Sequence, residues 1–410
     1  MEDPFVEILV PEDETSMPAA EVSARLPQFM GGPPDAAARL RGTKALVVGA
    51  GSLGFEFVQQ LPRWQVEQIG VVDRARFKAE SILTHGAPPE AVGQSKAIYA
   101  AQLAKRLSPR TRVLALEGEF ASVPLSRLAE FDVVFLATDN LLAELQVSQA
   151  CLPLRLPVVQ GSVHGGTLSG HVRFFGHGES SSPCVACGFT AEEWSHLNAN
   201  TFFSCEGHRS PTSPPGATGQ PTMSVHALCS LLAQLGLLYF MRDRLALGAP
   251  VRDTSLEFCA YTQQITTTKL TRNLRCRCAH VMYRRVSPPR SLATCSVREL
   301  LRAAGVESEQ GVRFDVADFY FVEQATCSCG AQQPVHRFAR AAEHVGLCHE
   351  CRRPLARHPF HSFRPVPVSA LRESFEVPLH LLGAGEARSA VVGSGEDAVL
   401  FLDRSESAIP

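Results

Sequence analysis

An apolar run that ends in a glycine turn constrains the fold of this chain more than any other feature. Residues 45–54 read ALVVGAGSLG, in which Gly49, Gly51 and Gly54 form a GxGxxG pattern. Such a turn joins a strand to a helix and points free backbone N–H groups and the positive end of the helix dipole at a phosphate. Asp73 follows the next apolar run, at the place where an acidic side chain can bind a ribose. The pattern predicts an adenine-nucleotide site, and a tight turn without a ligand is the alternative.

The size and composition of the chain are typical of one large α/β domain with a smaller second domain. Its 410 residues are 45% hydrophobic and 20% charged, which is enough to bury both cores. The formal net charge of −2 gives no basic excess for a nucleic-acid partner. No long apolar run is present, and residues 1–4 lack the features of a secretory signal. We expect a soluble, cytoplasmic protein that does not bind membranes.

Five apolar runs alternate with helical patterns and predict a doubly wound, Rossmann-like α/β fold with a mostly parallel sheet. Continuous apolar runs are typical of strands that helices cover on both faces. The predicted strands are Ala45–Val48, Gln68–Val72, Arg112–Leu116, Asp132–Ala137 and Pro157–Gln160. Helical patterns at Gln94–Leu107 and Leu141–Cys151 lie between them.

Changes in composition divide the chain into three parts. Residues 1–43 form an N-terminal arm, 44–285 the main domain, and 286–410 a C-terminal unit. In the main domain, residues 165–175 read as a hairpin strand that adds an antiparallel extension to the sheet. A polar crossover segment at about 188–222 then precedes an apolar helix over 223–245.

Two short patterns characterise the C-terminal unit. Ser296 and Glu299 have the spacing of a capping box, which predicts a helix that runs through Ala304. The stretches Phe375–Leu382 and Ala398–Leu402 resemble short strands. We expect this unit to dock another protein.

Most of the cysteines have the spacing of metal ligands. Eight of the 13 fall in close pairs, which in a reducing cytosol indicates metal binding rather than disulfides. Two pairs together make the ligand set of a closed, structural zinc site. One predicted set would anchor the crossover, and the other would organise a small C-terminal ribbon with His344 and His349 as substitute ligands. The sets are Cys184, Cys187, Cys276 and Cys278, and Cys327, Cys329, Cys348 and Cys351.

From about Ala24 to His280, the order of these motifs resembles the ThiF/MoeB-type adenylating enzymes, which are ubiquitin-activating-enzyme-like proteins. Besides the glycine turn, Asp73 and the first cysteine pair, the resemblance rests on VGQSK at 92–96, ATDN at 137–140 and RNLRCRC at 272–278. It implies that ATP and Mg²⁺ are used to convert the C-terminal carboxylate of a small protein into an acyl-adenylate. That carboxylate is already ionised, so the step needs cations rather than a general base.

The resemblance also implies roles for single residues. Lys96 would lie over the phosphates, Asp139 would hold Mg²⁺, and Asp73 would bind the ribose hydroxyls. Arg25 would reach into the site of a symmetric partner subunit, which implies a homodimer. Cys205 occupies the place of a nucleophile that takes the acyl group as a thioester. A solvated lysine, a helix N-cap aspartate, a surface arginine and a half-buried cysteine are the respective alternatives.

One segment departs from the family pattern. Where the family usually has Asn-Leu-x-Arg-Gln, residues 81–85 read SILTH, so a phosphate-binding arginine is missing. Ala75 also stands where a second acidic residue is common. Arg74, Arg76 or Lys78 would have to supply the lost charge.

Three functions follow from these observations. The first is an activating enzyme for a ubiquitin-like or sulfur-carrier protein that ends in glycine, with a conjugating enzyme as a further partner. The second is a binding scaffold that has lost turnover through the change at residues 81–85. The third is an NAD-dependent oxidoreductase, against which the ATDN segment and the zinc pairs argue.

Overall fold

A computed structural model describes residues 3–9, 32–198, 224–340 and 343–403. The chain divides into two compact units, one formed by residues 2–123 and 128–280, the other mainly by residues 281–410 together with 124–127. The boundary between the units falls after residue 280, five residues before the boundary expected from the sequence. Arg25 and Cys205 lie outside the described residues. Within those ranges, no helix combines the length and apolar character that crossing a membrane requires.

A mixed sheet forms the centre of the first unit, and its described strands run in the order β1-β4-β3-β2-β5-β6-β7-β8-β9. The middle strands, from β4 to β6 in this order, are parallel, β1 joins one edge antiparallel, and β7 to β9 extend the other edge antiparallel. This confirms the predicted doubly wound fold and its antiparallel extension. The strands are β1 Val6–Glu7, β2 Lys44–Val48, β3 Gln68–Asp73, β4 Arg112–Glu117, β5 Val133–Leu136, β6 Val158–His164, β7 Ser169–Phe175, β8 Thr254–Cys259 and β9 Gln264–Lys269.

Helices cover the parallel strands because those strands are apolar along their whole length. Phe135 of β5 shows the packing, since its ring contacts Phe57 at 4.7 Å and Phe240 at 5.6 Å between centroids. These two rings come from the helices over residues 52–60 and 226–245, so both helices bury apolar surface against one strand. The helices before residue 280 are α1 Ala36–Arg41, α2 Ser52–Gln60, α3 Ser81–Thr84, α4 Lys96–Leu107, α5 Leu125–Leu128, α6 Leu141–Cys151, α7 Ala191–Asn198 and α8 His226–Leu245, and of these α5 lies almost wholly in the segment that groups with the second unit.

The strand order reverses between β2 and β5, which are adjacent parallel strands. In doubly wound sheets, a crevice forms outside the carboxyl ends of the strands at such a switch point. The glycine turn follows β2 and the ATDN segment follows β5, so the chain brings both predicted motifs to this crevice.

The second unit has a hydrophobic core of its own. One sheet has the order β10-β18-β17-β11-β16, and β12 pairs with β13, β14 and β15 in another. Phe314, Phe321 and Phe401 are completely buried between these elements. The elements are β10 Arg284–Val286, α9 Val297–Ala303, β11 Arg313–Val316, β12 Tyr320–Thr326, β13 Gln332–Ala339, β14 Ala356–Arg357, β15 Ser362–Phe363, β16 Val366–Pro367, β17 Ser389–Gly393 and β18 Val399–Leu402.

Of the two strands predicted near the C-terminus, one is confirmed and one is wrong. β18 matches the predicted stretch Ala398–Leu402. Residues 375–382 instead lie between and within two helical turns, Val368–Ser374 and His380–Ala384. Pro378 has no backbone N–H to donate to a ladder, which disfavours a strand at this point.

The capping box that begins α9 gives a test of local stability. Ser296 Oγ accepts a hydrogen bond from the Glu299 N–H at 3.3 Å, and Glu299 Oε2 accepts one from the Ser296 N–H at 2.8 Å. We expect Ser296→Ala to lower the opening free energy of α9 by about 1 kcal/mol, measured by amide hydrogen exchange of the full chain. Ser296→Asp keeps a capping acceptor and should retain most of this stability. Equal exchange in Ser296→Ala and the wild type would contradict the role of the cap.

Candidate functional site

A cavity of about 500 Å³ occupies the crevice at the carboxyl ends of the parallel strands. Its walls come from the ends of β2, β3 and β5, from the start of α2 and α4, and from the segment around α3. A concave site of this size is large enough for a nucleotide. Among the lining residues are Gly49, Gly51, Asp73, Arg74, Lys78, His85, Lys96 and Asp139.

The glycine turn is too crowded for side chains at two of its three glycines. A Cβ atom on Gly54 would lie 1.8 Å from the carbonyl oxygen of Gly49, and one on Gly49 would lie 2.7 Å from the carbonyl oxygen of Ala137. Gly49 also has a φ of +87°, which L-residues rarely adopt. Gly51 is the N-cap of α2 and has no side chain to cap the helix. The backbone N–H groups at this end therefore face the cavity with the positive end of the helix dipole.

Two backbone hydrogen bonds orient Asp73 at the end of β3. Its Oδ2 accepts from the Ala50 N–H and its Oδ1 from the Ala75 N–H, both at 2.7 Å. Each carboxylate oxygen has a second lone pair, so the group is able to accept further hydrogen bonds from a ribose. The bond to Ala50 also ties the Asp73 carboxylate to the glycine turn.

Lys96 and Asp139 both line the cavity. Lys96 is the first residue of α4 and is only 6% exposed, so it is not a solvated helix lysine. Asp139 follows β5, and the neighbouring Asn140 is the residue that caps α6, with its Oδ1 accepting from the Leu142 N–H at 2.9 Å. The N-cap alternative for Asp139 is therefore wrong, and its carboxylate lines the cavity instead.

The three residues that could replace the missing arginine differ in where their side chains lie. Arg76 bonds to Glu117 at 3.0 Å and to the carbonyl oxygen of Gly93 at 3.1 Å. Arg74 lines the cavity but forms an ion pair with Glu119 at 2.6 Å. Lys78 lines the cavity as well. Arg74 and Lys78 therefore both lie at the wall of the cavity, where Glu119, the ion-pair partner of Arg74, lies as well.

The first cysteine cluster brings together Cys184, Cys187, Cys276 and His280, whose ligand atoms all lie within 4.8 Å of one another. The sulfur of Cys184 lies 3.7 Å from those of Cys187 and Cys276, and 3.4 Å from His280 Nε2. Sulfurs that share a tetrahedral zinc at about 2.3 Å stand roughly 3.8 Å apart. The separations thus fit a zinc ion.

The geometry revises one member of the predicted ligand set, because His280 takes the place expected for Cys278. Sequence reasoning missed His280, although the three residues that separate it from Cys276 are an ordinary spacing for metal ligands. Burial lowers the pKa of His280, which favours the neutral ring that binds metals.

The second cluster contains the four predicted cysteines, Cys327, Cys329, Cys348 and Cys351. Cys327 and Cys351 have their sulfurs 3.3 Å apart, and Cys329 and Cys348 have theirs 3.7 Å apart. The cluster lies at the end of the β12–β13 hairpin, where a few buried side chains form a small core separate from that of the rest of the unit. Four thiols at these distances are a plausible structural zinc set by their donor chemistry.

Glu144 on α6 is a titratable group next to the cavity wall that sequence reasoning missed. Burial raises its pKa from the ordinary 4.5 to about 7, while a hydrogen bond with Gln160 and the charge of Arg173 oppose this shift. The neighbouring Ala143 lines the cavity itself. A carboxyl with this pKa changes its charge near neutral pH.

The raised pKa of Glu144 predicts how stability depends on pH. The folded chain binds a proton here more tightly than the unfolded chain, so this contribution is full below pH 4.5 and is lost as pH rises through about 7. Between about pH 5 and 7, Glu144 makes the unfolding free energy of the wild type fall as pH rises. We expect Glu144→Gln to remove this contribution, which reduces the slope by up to about 1.4 kcal/mol per pH unit. Urea titrations at several pH values measure the slope. Glu90→Gln, at an exposed position, should leave it unchanged, and an unaltered slope in Glu144→Gln would refute the assignment.

The fold and the crevice place this chain among the doubly wound α/β proteins with a ligand site at the switch point. Comparison of the sequence with known families gives a more specific result. Residues 24–278, more than half of the chain, match the ThiF family. The chain belongs to the ThiF family.

Several curated proteins are similar to the same region. The adenylyltransferase and sulfurtransferase MOCS3-1 of Zea mays is 27% identical over 237 residues, which are 57% of this chain and 45% of the relative. The sulfur carrier protein adenylyltransferase of Thermus thermophilus is 32% identical over 162 residues, which are 38% of this chain and 59% of the relative. The chain thus spans less than half of the maize relative. The crystal structure of E. coli MccB with ATP aligns with a TM-score of 0.45 and 12% identity, over 59% of this chain and 68% of MccB.

Proposed function

We propose that this chain is an ATP-dependent adenylyltransferase that activates the C-terminal carboxylate of a small carrier protein. One observation carries the proposal. The glycine turn, Asp73, Lys96 and Asp139 line a single cavity, although they come from four separate parts of the chain. The names of the similar proteins from maize and Thermus thermophilus support adenylyl transfer, and the second of them acts on a sulfur carrier.

The proposed reaction follows from the charges in the cavity. A carboxylate oxygen of the carrier attacks the α-phosphorus of ATP, the bond from that phosphorus to the bridging oxygen breaks, and pyrophosphate leaves with the electron pair. Both reactants are anions, so the site must offset their repulsion. Lys96 and the N–H groups at the start of α2 act on the phosphates, and Asp73 holds the ribose. Asp139 would hold Mg²⁺, which would neutralise phosphate charge.

The nature of the carrier is a further part of the proposal. We propose a ubiquitin-like or sulfur-carrier protein that ends in glycine, because the similar protein from Thermus thermophilus is named for a sulfur carrier. A homodimer in which Arg25 enters the partner's site, and a conjugating enzyme docked on the C-terminal unit, belong to the same proposal. A scaffold without turnover is the second candidate. It is favoured by residues 81–85, which lack the family's phosphate-binding arginine.

Pyrophosphate exchange into ATP separates an enzyme from a scaffold. With a glycine-ended β-grasp protein encoded beside this chain, we expect exchange that falls by at least about 100-fold in Lys96→Ala and in Asp139→Ala. Arg106→Ala, at an exposed position on the same helix as Lys96, should exchange at the wild-type rate. Binding of ATP without any exchange in the wild type would favour the scaffold.

A thioester on Cys205 predicts a second activity that depends on this thiol alone. We expect Cys205→Ala to keep pyrophosphate exchange but to lose a carrier adduct that an added thiol cleaves by thioester exchange, because the Cys205 thiol acts after adenylation. Cys259→Ala is the matched control, since hydrogen bonds from Thr262 lower the pKa of this other thiol. An adduct that persists in Cys205→Ala and disappears in Cys259→Ala would contradict the assignment.

We propose zinc as the metal of both clusters, and elemental analysis of the purified chain tests this. Two clusters predict two zinc ions per chain. We expect His280→Ala to lose most of one equivalent and Cys278→Ser to keep both, because the separations assign the fourth position to His280. Cys329→Ser should lose the other equivalent. Loss of zinc in Cys278→Ser but not in His280→Ala would restore the ligand set expected from the sequence.

A further inference from the structure

The geometry points to His85 as a binding residue for the triphosphate, at the place where the glycine turn meets the segment that lacks the family's arginine. This inference rests on the proposed function, because it assigns a residue to the same site. His85 follows α3 directly and lines the cavity together with Lys78 and Lys96. It belongs to the part of the sequence that departs from the family pattern, so no role carries over to it from the resemblance.

The imidazole of His85 lies against the start of α2. A Cβ atom on Gly51 would be 3.8 Å from His85 Nε2, and the hydroxyl oxygen of Ser52 is 3.4 Å from Nδ1. Gly51 and Ser52 are the N-cap and first residue of a nine-residue helix. The ring therefore stands at the point where the backbone N–H groups of this helix face the cavity. A phosphate bound by those groups would be within reach of the imidazole.

The neighbouring threonine fixes which ring nitrogen carries the proton. The hydroxyl of Thr84 donates its one proton to the carbonyl oxygen of Glu80 at 2.9 Å. Its contact with His85 Nδ1, at 2.7 Å, therefore requires Nδ1 to be the donor. Nε2, on the side of Gly51, is then the nitrogen that gains the second proton when the ring becomes cationic. In that form it donates a charge-assisted hydrogen bond to an anion at the helix terminus.

Charged groups of both signs share the cavity with His85. They are the cations Lys78, Arg74 and Lys96 and the carboxylates Glu80, Asp73 and Asp139, while Glu56 lies 3.5 Å from the neighbouring His226. His226, at the start of α8, packs over Gly86 beside it. A bound triphosphate adds several negative charges next to Nε2, and these charges favour the protonated, cationic form of the His85 ring. Binding of ATP should therefore take up a proton at His85, which an arginine would not do.

Equilibrium binding of ATP and of adenosine to the full chain tests the role of His85. We expect His85→Ala to weaken ATP binding roughly tenfold and to leave adenosine binding unchanged, because the ring contacts only phosphates. His380→Ala, an exposed histidine of the second unit, should bind both as the wild type does. Unchanged adenosine binding also shows that the variant is folded.

The pH dependence provides a second readout. Wild-type affinity for ATP should fall as pH rises from about 6 to about 8, whereas His85→Arg should bind tightly and with a flatter dependence. Wild-type ATP affinity in His85→Ala, or an equal loss for ATP and adenosine, would overturn the inference. So would a pH dependence that persists in His85→Arg. If ATP binding depends on His85 but pyrophosphate exchange is absent, the proposed adenylation fails and the role of His85 stands.

Discussion

The close approach of Gly54 to the carbonyl oxygen of Gly49 is the contact on which the candidate site depends. With no room for a Cβ atom between them, the chain turns from β2 into α2 within a few residues. The turn points the first N–H groups of α2 into the crevice, and the Ala50 N–H holds the Asp73 carboxylate beside them. The helix N-terminus and the Asp73 carboxylate thereby depend on one backbone geometry. Lys96 and Asp139 line the same cavity as this turn.

Much of the first unit could be predicted from the sequence because its signals are local. Continuous apolar runs gave β2, β3 and β4 within one or two residues, and in the second unit the capping-box spacing likewise placed the start of α9. The glycine pattern predicted the turn from a strand into a helix, which the structure shows between β2 and α2. In each case, a few neighbouring residues determine the local structure, and the right-handed connections of parallel strands then bring their carboxyl ends together.

Other features depend on contacts that sequence spacing does not reveal. His280 joins a metal cluster because the chain folds back on Cys184, and its spacing from Cys276 alone does not decide between His280 and Cys278. The capping role of Asn140, and not Asp139, is decided by one hydrogen bond to Leu142. The core around Phe314, Phe321 and Phe401 joins short segments that are far apart in the chain. Each of these outcomes depends on tertiary packing rather than on local propensity.

The central claim is that a nucleotide binds with its phosphates at the glycine turn, between Lys96 and Asp139. A crystal structure of the chain with ATP and magnesium tests it most directly. The account predicts phosphate oxygens within hydrogen-bonding distance of the N–H groups at the start of α2 and of Lys96 Nζ, with the metal on Asp139. A nucleotide bound elsewhere, or a crevice closed by side chains between Gly49 and Asp139, would contradict the account.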